Sequence, residues 1–226
     1  MKDSASSSFK PWAQRMARTR VIAVVTVDHP DLAERLAESL LEGGVDLMEL
    51  TLRTPSALDC LRRIRTRFPE LGLGAGTLLT PDQIYQAQDA GAGFGVAPGL
   101  NPRVVDAART AGLPFAPGVF TPSDIELALD LDCPILKYFP AATHGGTAHF
   151  RTVVAPYLHR GLQLIPLGGL NPENAGAFLA ERGVLALGGS WIASAERIRA
   201  GDWNGIRDAA KAVRHQVHCL EDGTPR

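Results

Sequence analysis

The sequence lacks the features that mark several classes of protein. Its three cysteines, Cys60, Cys133 and Cys219, form no close pair and no even set. They therefore indicate neither a disulfide framework nor a zinc motif, and we expect three reduced thiols. No apolar run reaches the roughly 18 residues of a membrane span, and the stretch MKDSASSSFKPW lacks the apolar core of a secretory signal. The expected location is the cytoplasm.

An excess of charge of one sign is also missing. Twenty-three Lys plus Arg against 24 Asp plus Glu give a formal net charge of -1, which predicts no general affinity for nucleic acid or for a membrane surface. Any anion site should therefore be local. The six histidines form no HxH or HExxH pattern, so we expect no metal site. No cofactor is expected either.

What the sequence does contain is a regular alternation of strand-like and helix-like segments. Eight apolar runs are typical of strands, at residues 21–27, 47–53, 71–77, 93–99, 113–119, 134–141, 163–169 and 184–190. The segments between them are amphipathic, and four begin with a capping residue followed by proline, at Thr80, Asn101, Thr121 and Asn171. Eight β/α units without a shift in composition predict an α/β protein, a single (β/α)₈ TIM barrel over residues 1–226.

The sequence also leaves one alternative fold and predicts the structure of the two chain ends. A doubly wound open sheet is the alternative, but no GxGxxG motif follows the first predicted strand. Within an extension over residues 1–20, residues 8 to 20 are expected to form an extra helix that covers the bottom of the barrel. Residues 221–226 are expected to be a flexible tail.

The run LMELTLR places three polar side chains on one face of a strand. Because alternate side chains point to opposite faces, Glu49, Thr51 and Arg53 should face the interior of the barrel while Leu50 and Leu52 face the helices. Buried charges are costly unless they are paired or used. This face therefore indicates either a reactive site or a structural contact between Glu49 and Arg53.

A lysine interrupts the apolar run PILKYFPA. By the same alternation, Lys137 lies with Ile135 and Phe139 and shares the interior with Glu49 and Arg53. A guanidinium beside an amine in a partly dehydrated site favours the neutral amine, which can attack a carbonyl and form a Schiff base. The structural alternative is a salt bridge between Lys137 and Glu49.

Two double glycines follow the seventh and eighth predicted strands, in LGGLNPEN and LGGSW. In barrels, exposed backbone N–H groups at these strand ends commonly bind phosphate. Glycine is equally a turn residue, but the recurrence at corresponding ends favours an anion site, to which Ser190 adds a hydroxyl.

Six motifs in order resemble those of the 2-keto-3-deoxy-6-phosphogluconate (KDPG) and 4-hydroxy-2-oxoglutarate (KHG) aldolase family. They are ELTLRTPSAL, GAGTLLTPDQ, APG, LKYFPAATHGG, PLGGLNPEN and GGSW, and the resemblance extends from about residue 21 to 215. It implies a metal-independent class I aldolase that splits a 2-keto-3-deoxy sugar acid phosphate into pyruvate and glyceraldehyde 3-phosphate. It also implies a homotrimer.

The resemblance assigns roles to individual residues. Lys137 is similar to the Schiff-base lysine, Glu49 to the acid/base and Arg53 to the residue that binds the pyruvate carboxylate. It adds Thr77, Pro98 and Phe139 to the substrate pocket, and Gly168, Gly169, Gly189 and Ser190 to the phosphate site.

Three residues, Ala97, Ala142 and Leu167, depart from the common family pattern. Leu167 resembles the apolar residue of the galactonate branch, so an aldolase for 2-keto-3-deoxy-6-phosphogalactonate is an alternative, and cleavage of 4-hydroxy-2-oxoglutarate is a further expected activity. His144 follows the sixth predicted strand and is either a surface residue or part of the rim of the site.

Proteins of other classes would use the same glycine loops without an imine. A phosphate-binding barrel could be an isomerase, an epimerase or a decarboxylase, or a non-catalytic module that binds a sugar phosphate. The lysine distinguishes these alternatives from an aldolase.

Overall fold

The computed structural model describes residues 4 to 221, in which helices and short strands alternate. The strands are β1 (Val21–Val25), β2 (Leu47–Thr51), β3 (Gly72–Gly76), β4 (Phe94–Val96), β5 (Phe115–Ala116), β6 (Gly118–Val119), β7 (Ile135–Tyr138), β8 (Gln163–Pro166) and β9 (Leu187–Gly189). The helices are α1 (Ser4–Thr19), α2 (Pro30–Glu42), α3 (Ala57–Arg67), α4 (Pro81–Asp89), α5 (Pro102–Ala111), α6 (Pro122–Asp130), α7 (Gly146–Val154), α8 (Pro172–Leu179), α9 (Ala195–Ala200) and α10 (Trp203–Glu221). None of these helices is both long and apolar enough to cross a membrane.

The strands form two parallel sheets. The larger sheet has six strands in the order β5-β4-β3-β2-β1-β9, and the smaller has the order β6-β7-β8. Each of the eight predicted runs contains a strand, but the fifth is divided at Pro117, which has no N–H to give to a neighbouring strand. Its first half pairs with β4 and its second half with β7.

Two isolated bridges lie between the sheets on the other side. Leu164 on β8 pairs with Val184, and Leu167 pairs with Gly188 on β9. The α/β class is confirmed, with a curled six-stranded parallel sheet. The complete (β/α)₈ barrel, which two separate sheets do not by themselves establish, stays a prediction, as does the single domain over residues 1–226.

The cap-and-proline signals lie where four helices begin. The side chains of Thr80, Asn101, Thr121 and Asn171 each accept a hydrogen bond from a backbone N–H in the first turn of α4, α5, α6 and α8. Such bonds satisfy N–H groups that have no partner inside the helix. They also fix where the chain turns after leaving a strand, at the sheet edge that carries the candidate site.

Alternate strand residues divide between two apolar clusters. In the outer cluster, residues such as Val25 and Leu50 pack against the helices. The inner cluster combines both sheets with α1, through residues that include Ile22, Leu47, Phe94, Ile135, Ile165 and Met16. The predicted alternation, with Leu50 toward the helices and Ile135 inward, is therefore confirmed.

Helix α1 lies against the amino ends of the strands. Its Trp12 ring is 5.2 Å from that of Phe94 and packs so closely on Gly93 that an added Cβ there would be 2.2 Å from the indole. Arg15 donates to both the backbone and the carboxylate of Asp46, just before β2. The predicted helix is present and begins earlier, at Ser4. Of the predicted tail over 221–226, Glu221 ends α10 and residues 222–226 lie outside the described residues.

We expect Met16→Ala to lower the free energy of unfolding by about 2–5 kcal/mol, because truncation leaves a cavity where a buried side chain was lost. Met16 is fully buried in the inner cluster. The matched control is Gln14→Ala on the exposed side of the same helix, which should change stability by less than about 0.5 kcal/mol. Urea titration measures both values, and equal stability of the two variants would contradict the packing of α1.

Candidate active site

A cavity of about 410 Å³ opens where the strands end. Its polar side chains come from the carboxyl ends of β1, β2, β7 and β9 and from the loop before α9: Thr26, Thr51, Arg53, Lys137, Ser190 and Ser194. Val24, Phe139 and Leu167 give it an apolar wall. In parallel α/β folds this edge of the sheet is where ligands bind.

Lys137 lines this cavity and contacts Glu49, a buried residue that is not itself part of the lining. Lys137 on β7 donates from Nζ to Oε1 of Glu49 on β2, over 3.2 Å. The side chains are only 6% and 2% exposed, and Lys137 Nζ lies 5.5 Å from the centroid of the Phe139 ring. The structure thus brings together the two inward-facing groups that the sequence placed on different strands.

The outward face of β7 holds the lysine in its inward orientation. Tyr138, its neighbour, is fully buried on the other face, and its hydroxyl is 2.6 Å from Nδ1 of His149. Burial raises the pKa of Tyr138 to about 12, so this phenol stays neutral. Leu136 is likewise buried in the outer cluster.

Gly76 of the GAGT motif makes room for the carboxylate. An added Cβ at this position would lie 2.0 Å from Oε1 of Glu49, which is shorter than any real contact. Gly76 pairs with Thr51 across β2 and β3, so the missing side chain lies next to the strand that carries Glu49. A glycine is required here for space.

Arg53 lies at the mouth of the cavity and not in the interior, which corrects the sequence prediction. Strand β2 ends at Thr51, and the N–H of Arg53 bonds back to the carbonyl of Thr51, turning the chain outward. Arg53 is exposed and donates from Nε to Oγ1 of Thr77, over 3.2 Å. Thr77 has a φ of 61°, in the left-handed region that non-glycine residues seldom occupy. Between Glu49 and Arg53 the described contacts include no ion pair.

The four residues predicted for phosphate binding divide into two pairs. Gly168 and Ser190 line the cavity, whereas Gly169 and Gly189 do not. Gly169 is exposed and Gly189 is buried, and Gly188 lines the cavity in its place. Gly188 lines the cavity and Gly189 does not because both are still within β9, where successive residues face opposite sides of the sheet.

The amino end of α9 also borders the cavity, through Ser194 and Ala195. Ser194 caps the helix by accepting from the N–H of Arg197, over 3.3 Å. This end of α9 thus contributes a serine and backbone to the lining after Ser190. Sequence reasoning missed it, although a serine before AERIRA is an ordinary capping signal.

Thr26 is a second residue that sequence reasoning missed. Its Oγ1 lies 2.8 Å from Oγ1 of Thr51, and both hydroxyls line the cavity. The sequence VIAVVTV could have predicted it, because strand alternation places Thr26 on the same face as Ile22 and Val24. Both of these residues pack in or against the inner cluster.

Glu49 and Thr77 do not line the cavity but contact residues that do, Lys137 and Arg53. Pro98 and His144 lie away from the lining. Pro98 does not line the cavity, but its backbone approaches Gly118 so closely that an added Cβ there would be 2.2 Å from the Pro98 carbonyl oxygen. His144 is exposed, with Nδ1 3.0 Å from Oγ1 of Thr143 and its ring 5.7 Å from that of Phe120. Of the residues that depart from the family pattern, Leu167 lines the cavity and Ala97 and Ala142 do not.

The chain is similar to a known protein family, to curated sequences and to solved structures. The family model described as KDPG and KHG aldolase matches residues 13–209. A 2-dehydro-3-deoxy-phosphogluconate aldolase from Treponema pallidum is 41% identical over 193 residues, which cover 85% of this chain and 91% of that protein. The KHG/KDPG aldolase of Escherichia coli K12 is 36% identical over 191 residues, 84% of this chain and 89% of that protein.

Two solved structures are similar in fold and sequence. The KDPG aldolase of Legionella pneumophila, with pyruvate captured as a covalent carbinolamine, has a TM-score of 0.84 and 33% identity, covering 89% of this chain and 97% of that one. The Zymomonas mobilis enzyme with 3-phosphoglycerate has a TM-score of 0.82 and 32% identity, covering 89% and 94%. By sequence and by fold, the chain belongs to the KDPG and KHG aldolase family.

Proposed function

We propose that this chain is a class I aldolase that cleaves KDPG into pyruvate and glyceraldehyde 3-phosphate. The observation that carries the proposal is a buried amine, Lys137, which lines an open cavity and contacts a buried carboxylate, Glu49. The relatives that match most of the chain are named as aldolases for this substrate. An ion pair between the two groups fits this role, because a proton can pass between them as the amine reacts.

The reaction begins at the keto carbon of the substrate. The Lys137 ammonium first passes a proton to Glu49, the neutral Nζ then attacks C2 to give a carbinolamine, and loss of water from this adduct leaves a protonated imine. Glu49 supplies the proton that the departing hydroxyl needs. The Legionella relative has pyruvate captured as the carbinolamine, which supports the same first step here.

Cleavage then depends on the imine as an electron sink. As the C4 hydroxyl loses its proton to Glu49, the C3–C4 bond breaks, the aldehyde leaves, and the electron pair of that bond enters the iminium to form an enamine. Protonation of C3 restores the imine, and water hydrolyses it to release pyruvate and the free amine. Glu49 is the proposed group for these transfers because it contacts Nζ, the atom to which the substrate is joined.

The ends of the cavity suit the two charged ends of the substrate. Arg53, oriented by its bond to Thr77, would bind the carboxylate next to the keto carbon. Ser190 and the backbone at Gly168 would bind the phosphate. The Zymomonas relative was solved with 3-phosphoglycerate, a three-carbon phosphate, which supports a phosphate site in this family.

We also propose that the two sheets close into a (β/α)₈ barrel. The fifth run joins them at Pro117, and the bridges Leu164–Val184 and Leu167–Gly188 join them between β8 and β9. The inner cluster, drawn from both sheets, would then be the barrel interior. The homotrimer and the cytoplasmic location stay predictions.

Substrate range is proposed to include 4-hydroxy-2-oxoglutarate, since the reacting half of that molecule is the same. Leu167, in the cavity wall, keeps the galactonate epimer as the alternative substrate. Cleavage assays with the two phosphorylated epimers distinguish these two substrates. If kcat/KM is higher for the galactonate epimer, that epimer replaces KDPG as the proposed substrate.

Reduction with borohydride in the presence of pyruvate should attach a pyruvate-derived mass to Lys137. The chain has four lysines, and trypsin cuts on either side of residues 110–151 and once within them, after Lys137. A reduced adduct blocks that cut, so mass spectrometry should find an intact 110–151 peptide with added mass. Lys211→Met, on the exposed face of α10, should label as well as the parent. An unmodified Lys137 in the parent would remove the class I mechanism.

Glu49→Gln should lower kcat for KDPG cleavage by about 10²–10⁴-fold, because the amide cannot carry protons. Some pyruvate trapping on Lys137 should persist, since the amine remains in place. The control is Glu42→Gln, which makes the same change in a surface ion pair with Arg207 and should leave kcat unaltered. Steady-state assays measure kcat for both variants, and an unchanged kcat in Glu49→Gln would eliminate the acid/base role of Glu49.

Ser190→Asp should raise KM for KDPG by roughly tenfold or more, because a carboxylate beside the phosphate repels it. Pyruvate has no phosphate, so its trapping on Lys137 should match that of the parent protein. Ser190→Ala removes only one hydrogen-bonding group and should have a much smaller effect on KM. If the aspartate variant binds KDPG as tightly as the parent, the phosphate does not lie beside Ser190.

A further inference from the structure

The cavity contains a pair of neutral hydroxyls with no part in the steps described so far. Thr26 Oγ1 and Thr51 Oγ1 are 2.8 Å apart at the carboxyl ends of β1 and β2. Thr51 is 1% exposed and Thr26 is half-buried, and both line the cavity. Their side chains therefore face the space that a bound substrate would occupy.

Hydrogen-bond accounting shows what this pair can offer. Each threonine hydroxyl has one hydrogen to donate and two lone pairs to accept. The contact between them uses one hydrogen, and among the described residues neither hydroxyl has another hydrogen-bond partner. One O–H donor and several lone pairs are thus available toward the cavity, which matches a substrate hydroxyl, itself both donor and acceptor.

The other polar groups of the lining are suited to different partners. Lys137 and Arg53 are cations, and Ser194, whose oxygen accepts from the Arg197 N–H, follows β9 on the same loop as Ser190. Ser190 follows β9 at the proposed phosphate site, and β1 lies between β9 and β2 in the sheet. Thr26 therefore follows the strand that lies between β9, which leads to the phosphate site, and β2, which carries both Glu49 and Thr51.

We propose that Thr26 and Thr51 together bind the C5 hydroxyl of the substrate, on the carbon next to the one that bears the phosphate. The inference rests on the proposed aldolase function and extends it to a specificity-determining pair. The C4 hydroxyl must give its proton to Glu49, whereas the C5 hydroxyl takes no part in bond cleavage and is free to be held. Val24, two residues before Thr26, and Leu167 also line the cavity, and their apolar side chains cannot bind a hydroxyl by a hydrogen bond.

The test uses the reverse reaction, in which pyruvate condenses with an aldehyde. The 2-hydroxyl of glyceraldehyde 3-phosphate becomes the C5 hydroxyl of the product, and the 2-deoxy aldehyde lacks it. The parent should prefer glyceraldehyde 3-phosphate by kcat/KM, because a site built for a hydroxyl rejects an analogue without one. Thr26→Val, which keeps the shape and removes the hydroxyl, should lower that preference roughly tenfold, the worth of one hydrogen bond. Its rate with the deoxy aldehyde should stay close to that of the parent.

Two controls separate this role from a structural one. Thr26→Ser retains the hydroxyl and should retain the preference, and pyruvate trapping on Lys137 should be the same in all three proteins. An equal preference in Thr26→Val and the parent would overturn the inference, as would an equal loss with both aldehydes. A parent that traps no pyruvate and condenses neither aldehyde would overturn the proposed function, and this inference with it.

Discussion

A buried ammonium held against a buried carboxylate is the constraint on which the arrangement of this protein depends. Lys137 and Glu49 are almost fully removed from water, and such a pair is stable only while both partners stay in place. Three features keep the pair in place. Strand alternation turns both side chains inward, Gly76 leaves room for the Glu49 carboxylate, and α1 covers the amino ends of the strands. The cavity opens at the carboxyl edge of the strands, so a substrate would reach the pair from that side.

Much of this arrangement follows from the sequence by simple rules. The α/β class, a strand in every apolar run and the four capped helices were predicted from periodicity and capping signals. Period-two alternation placed Lys137 and Glu49 in one interior although 88 positions separate them. Alternation works here because parallel strands buried on both faces leave each side chain only two directions.

The misses have physical causes as well. Alternation was continued past the end of β2, so Arg53 was placed inside although its N–H bonds back to Thr51 and turns it to the mouth. Gly188 and Gly189 look alike in sequence, but only their position within β9 decides which faces the cavity. Thr26 was overlooked because one threonine in an apolar strand looks like a packing residue until its partner, on another strand, is known.

A crystal structure of the protein soaked with pyruvate tests the central claim most directly. The account predicts continuous density from Nζ of Lys137 to C2 of pyruvate, with the Glu49 carboxylate beside the new bond and the pyruvate carboxylate toward Arg53. Pyruvate bound without a covalent bond, or joined to a different lysine while the Lys137–Glu49 ion pair stays intact, would contradict it.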